Sequence, residues 1–584
     1  MAKRDKDKAG GEAINVGQAL DNLVHQFSDP WSFLRELIQN AIDAGSSEID
    51  VHIEHQPPDD PSGDDPGLMV IEIVDTGEGM DRDIIDTRLT RLFSSAKDGD
   101  YTKIGRFGIG FVSVFAIEPD VVCVDTGRAG EYWRVLFKGD RSFERISLDM
   151  PVEGTTIRIY KHADADAVED ARRRAGRVLE YWCKHAKVEI RLDGRQISRP
   201  MALGDRAKGA RARCVIRHEE EGTRVLLGLS PKTQALRGYY HGGLTLHEER
   251  ESEDSELDAA LAHLTFKIDS RFLEHTLTRD NVIRDENYAK AMGIVLDLAR
   301  GPLLVALFDA IEAHTRAQDE ARSSGGLVPP RDAELDAHLR RALYRVAKGD
   351  LELPKGLGAR PILPTLDGPP CSLDEVRKVH RGRRTKVWVG AEASPVTRAL
   401  RERGDLVLRA EPDTALRFAL ERHLDEALPT TQELCTALEL DPQSPAAQVE
   451  RPRWQALRAA LTHLLGVQGL RVSALHLGHL DYPGSPVAER VAITQGSFGE
   501  LTPTAEVGEL GSGWLTSKRC VVLNADHGTV AHLLELAGAE PELAAYLLLK
   551  LFYLHGAEGE GLDSTLDSTL ATAAAEARWQ RSTP

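Results

Sequence analysis

Cysteine is scarce in this chain: six stand in 584 residues, at positions 123, 183, 214, 371, 435 and 520, and no two form a CxxC pair. That scatter excludes a zinc ribbon and a disulfide scaffold, and it reads as separate buried thiols in a reducing compartment. Positive charge is also short. Lys and Arg number 73 against 92 Asp and Glu, and the net charge of −19 argues against a main role as an electrostatic binder of nucleic acid or membrane. Long apolar runs are missing too: no stretch reads as a bilayer span. The start, Met1-Ala2-Lys3-Arg4-Asp5-Lys6-Asp7-Lys8, is polar where a secretory signal would carry an apolar core. A cytoplasmic protein of about three or four domains is the expectation at this length.

What the chain does have is concentrated in its first third. Asp29-Pro30 offers an N-cap acceptor and a first-turn proline, Gly45 suits a left-handed C-terminal position, and the stretch from Phe33 to Ala44 between them is expected to be helical. At about 100° per residue, Glu36, Asn40 and Asp43 fall within roughly 60° of one another, with Leu34, Leu37, Ile38 and Ala41 on the opposite side. Taken alone, that polar stripe reads first as the solvated face of a surface helix. Met69 to Val74 then reads as a strand running into Asp75-Thr76-Gly77-Glu78-Gly79-Met80, a turn whose glycines let backbone approach a flat ligand. Asp75, an acceptor only, suits the exocyclic amine of adenine, and Met80 offers the ring a polarizable surface. Further on, Ile104-Gly105-Arg106-Phe107-Gly108-Ile109-Gly110-Phe111 sets glycines in a GxxGxG spacing at the start of an apolar, helix-like segment, the arrangement of a phosphate cradle. It does not directly follow a strand, which excludes the dinucleotide-binding version.

In this order and spacing the three segments resemble the Bergerat nucleotide fold of the GHKL superfamily of gyrase, heat-shock protein 90, histidine kinase and MutL ATPases. The segments FLRELIQNAIDA and IGRFGIGFVSVF look most like heat-shock protein 90, and Gly154-Thr155-Thr156-Ile157-Arg158-Ile159 matches that family's GT-containing strand. The resemblance implies an α/β protein whose N-terminal domain is an α+β sandwich binding ATP with Mg²⁺. Glu36 would be the general base that orients the attacking water, and Asn40 the Mg²⁺ ligand. Asp43 would support the pocket, while Asp75, Gly77, Gly79, Met80 and Thr155 would hold adenine. Gly105, Gly108, Ile109, Gly110 and Phe111 would line the phosphates, with Lys97 reaching them as a point charge; the alternative for Lys97 is an ordinary surface lysine. Downstream, Phe272 to Asn281 looks like the middle-domain loop that carries an arginine for the γ-phosphate, here Arg279. Its alternative is a surface ion pair.

The chain also departs from the family. Only Asp98 to Lys103 separates the lysine segment from the glycine loop, so the lid looks truncated, and the connection after the first helix is short, as in MutL and sacsin-type domains. Asp86-Thr87-Arg88-Leu89 lacks an expected asparagine, and Ile283 stands where a polar partner is expected. The expected division is a nucleotide domain over 1–200, a middle domain over 201–425 and a C-terminal α/β unit over 426–584. A helix over Ala165 to His185, a strand from Lys187 to Leu192, a strand spanning Tyr239 to Leu246 and a helical stretch from Asn287 to Arg322 fall within the first two. Ser323 to Pro330 is a break. The basic run Arg377 to Lys386 reads as a solvated helix end, since no aromatic interleaves it. His527 and His532, five apart, read as core or surface histidines.

The function implied is an ATP-hydrolysing chaperone acting on client proteins, as a homo-oligomer. Two other classes fit part of the pattern: a MutL- or MORC-like switch on nucleic acid, and a nucleotide-gated interaction protein without turnover.

Overall fold

Alternation of apolar residues builds the first sheet. In the computed structural model, which describes residues 29–59, 65–90, 109–139, 142–204, 212–231, 235–250, 261–274, 276, 281–410, 415–440, 445–470, 472–508, 518–554 and 563–582, these residues divide into two compact units, Met1–Leu303 and Leu304–Pro584.

Eight strands make the first sheet of unit one: β1 (Glu48–Gln56), β2 (Leu68–Asp75), β3 (Val121–Arg128), β4 (Glu131–Lys138), β5 (Phe143–Ser147), β6 (Thr155–His162), β7 (Glu189–Leu192) and β8 (Arg195–Gln196). They lie side by side in the order β5-β4-β3-β6-β2-β1-β7-β8. Ile49, Val51 and Ile53 of β1, Ile71 and Ile73 of β2, and Val122 and Val124 of β3 point to one face. Helices Phe33–Asp43 and Ala165–Trp182 cover that face and contribute Leu34, Leu37, Ile38, Ala171, Ala175 and Leu179 to the same core. Phe137 is central to it, with ring centres 5.1 Å from Phe111 and 5.8 Å from Phe143. The opposite face is polar. There Arg158 on β6 bridges Glu72 of β2 at 2.7 Å and Asp125 of β3 at 2.9 Å, and Arg134 on β4 meets Asp125 at 2.6 Å, a charge ladder across four strands.

A second sheet follows in the same unit: β9 (Arg213–Glu220), β10 (Thr223–Leu229), β11 (Leu236–His241), β12 (Leu244–Arg250) and β13 (Leu264–Ser270), ordered β12-β11-β13-β10-β9. The expected single strand from Tyr239 to Leu246 is instead a hairpin, because Gly242 and Gly243 take φ of +60° and +84° and turn the chain. The helix expected over Ala165 to His185 stops at Trp182, and the strand expected from Lys187 starts at Glu189.

The helical stretch after the second sheet is two helices, Glu286–Arg300 and Pro302–Ser323, joined at Gly301. Contrary to the expectation from sequence, Glu286–Ser323 is long and apolar enough, by length and composition alone, to cross a membrane, with a mean hydropathy of 1.8 in its most apolar window. Leu303, Leu304, Leu307, Phe308 and Ile311 are nevertheless buried within the protein, as in a core helix.

In unit two, the break at 324–332 precedes helix Ala333–Lys348, and the parallel pair β14 (Val387–Gly390) and β15 (Leu406–Arg409) is linked by helix Pro395–Glu402. The basic run closes helix Leu373–His380 and leads into β14, as read. A final four-stranded sheet packs with helices Pro445–Val467, Gly528–Leu536, Pro541–Leu554 and Ser564–Ser582. His527 caps the second of these through its ring nitrogen, and His532 is exposed. The six cysteines are all free thiols.

Emptying the first core should be costly. Phe137→Ala is expected to destabilise unit one by about 3–5 kcal/mol in denaturant unfolding, the range for a fully buried aromatic truncated to alanine.

Candidate functional site

The first motif folds as its caps dictate. Asp29 accepts from the Trp31 amide at 2.9 Å, a single 3-10 turn over Pro30–Ser32 follows, and the helix Phe33–Asp43 ends where Gly45 takes φ +80°. Its apolar side, with Phe33, Leu34, Leu37, Ile38 and Ala41, is buried. The polar stripe is not uniform. Glu36 is only 7% exposed, whereas Asn40 and Asp43 are exposed, the latter accepting from Gln39 at 3.0 Å. A buried carboxylate requires company. Arg35, 5% exposed, stands with Nη1 3.6 Å from Glu36 Oε1. On its other side Glu36 meets the glycine segment: a Cβ added to Gly110 would lie 3.0 Å from Glu36 Oε2, so the carboxylate rests against bare backbone. Ile109 opens the short helix Ile109–Val112. Phe111 in that helix turns its ring into the core, which leaves only its backbone for a ligand.

The other end of the same helix meets the second motif. Glu78 N donates to Ala44 O at 2.9 Å, and Ser46 Oγ donates to Asp75 Oδ1 at 3.1 Å. Asp75, at the end of β2 and 8% exposed, also accepts from Gly77 N at 2.8 Å. Burial raises its pKa above the ordinary aspartate value, and the donors Gly77 N–H, Ser46 O–H and Thr155 N–H offset part of that shift. The glycines are needed for closeness. A Cβ on Gly77 would lie 2.9 Å from Asp75 Oδ1, and one on Gly154, at φ +66°, would lie 2.0 Å from Asp75 O. Gly79, at φ +65°, lies equally close to the Gly127 carbonyl.

Thr155 stands opposite Asp75 in the β2–β6 register, and Thr126 stands opposite Thr155 in the β3–β6 register. The two hydroxyls are 3.1 Å apart, and Thr126 Oγ1 accepts from Met80 N at 2.9 Å while donating to Gly154 O. Met80 is thereby held half-buried against the core.

The site therefore has two poles on one helix, a carboxylate against a glycine segment at Glu36 and a carboxylate under two threonines at Asp75. Eight residues of helix separate Glu36 from Ala44, about 12 Å at the α-helical rise. A flat amine-bearing group at one pole and an anionic group near the other match that span. Asn40, exposed one turn after Glu36 and engaged by no side-chain hydrogen bond among the described residues, offers a neutral hard oxygen of the kind Mg²⁺ accepts. Lys97, Gly105, Gly108 and Arg279, and the shortened lid, lie outside the described residues.

Sequence reasoning missed three participants. Ser46 follows the helix by chance of loop geometry, and no motif marks it. Thr126 sits mid-strand, and only strand pairing brings it to Thr155. Arg35 has a charge that predicts exposure and is instead buried.

Residues 28–135 match the family model described as histidine kinase-, DNA gyrase B-, and HSP90-like ATPase. Among curated proteins, the chaperone protein HtpG of Idiomarina loihiensis is 30% identical over 219 residues, covering 33% of this chain and 33% of its own length. The HtpG of Anaplasma phagocytophilum is 34% identical over 178 residues, covering 26% and 28%, and that of Paraburkholderia xenovorans is 32% identical over 200 residues, covering 30% and 31%. The chain thus spans about a third of the length of the curated relatives it matches.

An ionised Asp75 accepts from an amine, so binding of adenosine, which has no titrating phosphate, should weaken as pH falls. Because its pKa is raised, the loss should begin at higher pH than for an ordinary aspartate. Calorimetry against Asp75→Asn checks this: the variant should bind weakly without the acid limb, and a limb unchanged in the variant removes Asp75 from the site.

Proposed function

We propose that this protein, whose residues 28–135 match the model of histidine kinase-, DNA gyrase B-, and HSP90-like ATPases, is a Mg²⁺-dependent ATPase and molecular chaperone of heat-shock protein 90 type that couples its nucleotide state to domain rearrangement and the remodelling of client proteins. The observation that carries the reading is the Glu36 carboxylate, buried and 3.0 Å from where a Cβ on Gly110 would stand, on the same helix that ends at the Asp75 pole.

Phosphoryl transfer to water asks for a positioned nucleophile and for charge stabilisation. Glu36 accepts the proton of the attacking water, a role that suits a carboxylate held near bare backbone with the Arg35 cation beside it. Asn40 would hold Mg²⁺ through its side-chain oxygen, and the ion would supply neutralisation of phosphate charge. Asp75 accepts from the adenine amine, Ser46, Thr126 and Thr155 keep that acceptor and the Met80 turn in place, and Gly110 with the preceding glycines leaves room for phosphates. Arg279 supplies a cation to the transferring phosphoryl group. Residues 201–425 would then act as a middle domain and 426–584 as a C-terminal unit in a cytoplasmic homo-oligomer. The net charge of −19 and the HtpG relatives favour protein clients over nucleic acid.

Glu36→Ala is expected to keep ATP affinity while lowering turnover by about 100-fold or more, in the range for loss of a general base. Arg279→Ala should slow turnover with affinity retained. Binding without turnover in the unmutated protein would instead support a nucleotide-gated scaffold, and wild-type turnover in Glu36→Ala would remove the base assignment.

A further inference from the structure

In a chain with a net charge of −19, the ten residues from Arg377 to Lys386 gather six Lys or Arg side chains with no carboxylate among them. The stretch ends the helix Leu373–His380, turns, and enters β14. Cations in the last turn of a helix answer the partial negative charge of its end carbonyls, which accounts for Arg377, Lys378 and His380. Two of those three also have partners. Arg377 Nε donates to His423 Nε2 at 2.8 Å and its Nη1 lies 3.3 Å from Asp374, while His380 stands 3.7 Å from Glu426.

Arg383, Arg384 and Lys386 lie past the reach of the helix dipole and need another explanation. Their side chains are exposed, as are those of Lys378 and Arg381, and none of the five has a carboxylate partner among the described residues. The backbone that carries them is nevertheless fixed. Gly382 N and Thr385 Oγ1 both donate to Val379 O at 3.0 Å, and Lys386 N donates to Asp405 Oδ1 at 2.8 Å. Only glycine fits at the bend, since a Cβ on Gly382 would fall 2.3 Å from Thr385 Oγ1. Asp405, which meets the end of the turn, is buried, accepts from the Trp388 indole at 3.3 Å and is paired with Arg403, so its charge is already matched.

A rigid turn that holds five uncompensated cations repels itself, and an anion laid across it relieves that repulsion. We propose that the turn Lys378 to Lys386 is a docking surface for an acidic peptide, a run of Asp and Glu in a partner protein. The attraction of exposed charges extends only about 8–10 Å at physiological salt, so a short acidic run meets the cations and little of the negative remainder of the chain. A nucleic acid carries its phosphates on past the patch, and it also wants aromatic faces for its bases. The stretch has no aromatic residue, and the first one after it, Trp388, is 6% exposed. A bilayer wants an apolar side chain to insert beside the cations, and the single one here, Val379, is half-buried. The inference stands apart from the ATPase reading, which survives its failure.

The test uses the full chain and fluorescence anisotropy of a labelled polyglutamate peptide, with an oligothymidylate of equal charge and phosphatidylserine vesicles measured alongside. The peptide should bind more tightly than the oligonucleotide, with an affinity that falls as salt rises. Arg383→Ser with Arg384→Ser should weaken it about fivefold to tenfold at an unchanged melting temperature, and Arg383→Lys with Arg384→Lys should keep most of the affinity because the charge is retained. Absence of peptide binding, or equal binding by the serine variant, overturns the surface. Tighter binding of the oligothymidylate or the vesicles, lost in the same variant, keeps a cationic site but overturns the acidic peptide as its ligand. Should the serine variant not fold, Lys378→Ser with Arg381→Ser decides between these outcomes.

Discussion

The antiparallel register of three adjacent strands, which sets Asp75, Thr155 and Thr126 opposite one another at one sheet end, is the constraint on which the site depends. A slip of one residue in β2 or β6 would reverse every side chain on that strand, exchanging Ile71 and Ile73 for Glu72 in the core. The apolar alternation that excludes such a slip therefore also places the carboxylate and the two hydroxyls. Gly154, at φ +66° and in contact with the Asp75 carbonyl, lets β6 begin close enough for its Thr155 amide to reach the carboxylate.

The energetics of the two poles differ. Asp75 is desolvated but receives donors from three separate segments, so its ionised form is maintained at a cost that a ligand amine can offset further. Beside Glu36 stands Arg35, a cation whose own burial lowers its pKa and whose Nε lacks an acceptor among the described residues. Buried polar atoms without partners are uncommon in folded proteins. Here the unsatisfied atom, Arg35 Nε, lies on the neighbour of the residue proposed for proton transfer.

The turn Tyr181–Ala186 joins the two sheets of the first unit. A long loop would have allowed the second sheet to move freely, but the carbonyls of Tyr181 and His185 are each met directly by second-sheet residues. The fold thus connects the second sheet to the end of the helix Ala165–Trp182 through residues with no recognisable motif.

Much of this was legible in the residues. The helix Phe33–Asp43, β2 with its glycine turn, and the β6 threonine follow from caps, alternation and glycine spacing, because these act over a few positions along the chain. The hairpin at Gly242-Gly243 was missed because the strands on both sides share one apolar pattern, and the break at Gly301 because helical periodicity runs through it. Ser46, Thr126 and Arg35 were illegible for a different reason: each acquires its place in the site from a residue brought near by strand pairing or packing. The sequence by itself determined which segments carry the carboxylates, glycines and hydroxyls, since local propensity is a property of neighbours in the chain. Only the tertiary structure decided which of those groups are desolvated and which cation stands beside Glu36, because burial and charge pairing depend on elements distant in sequence.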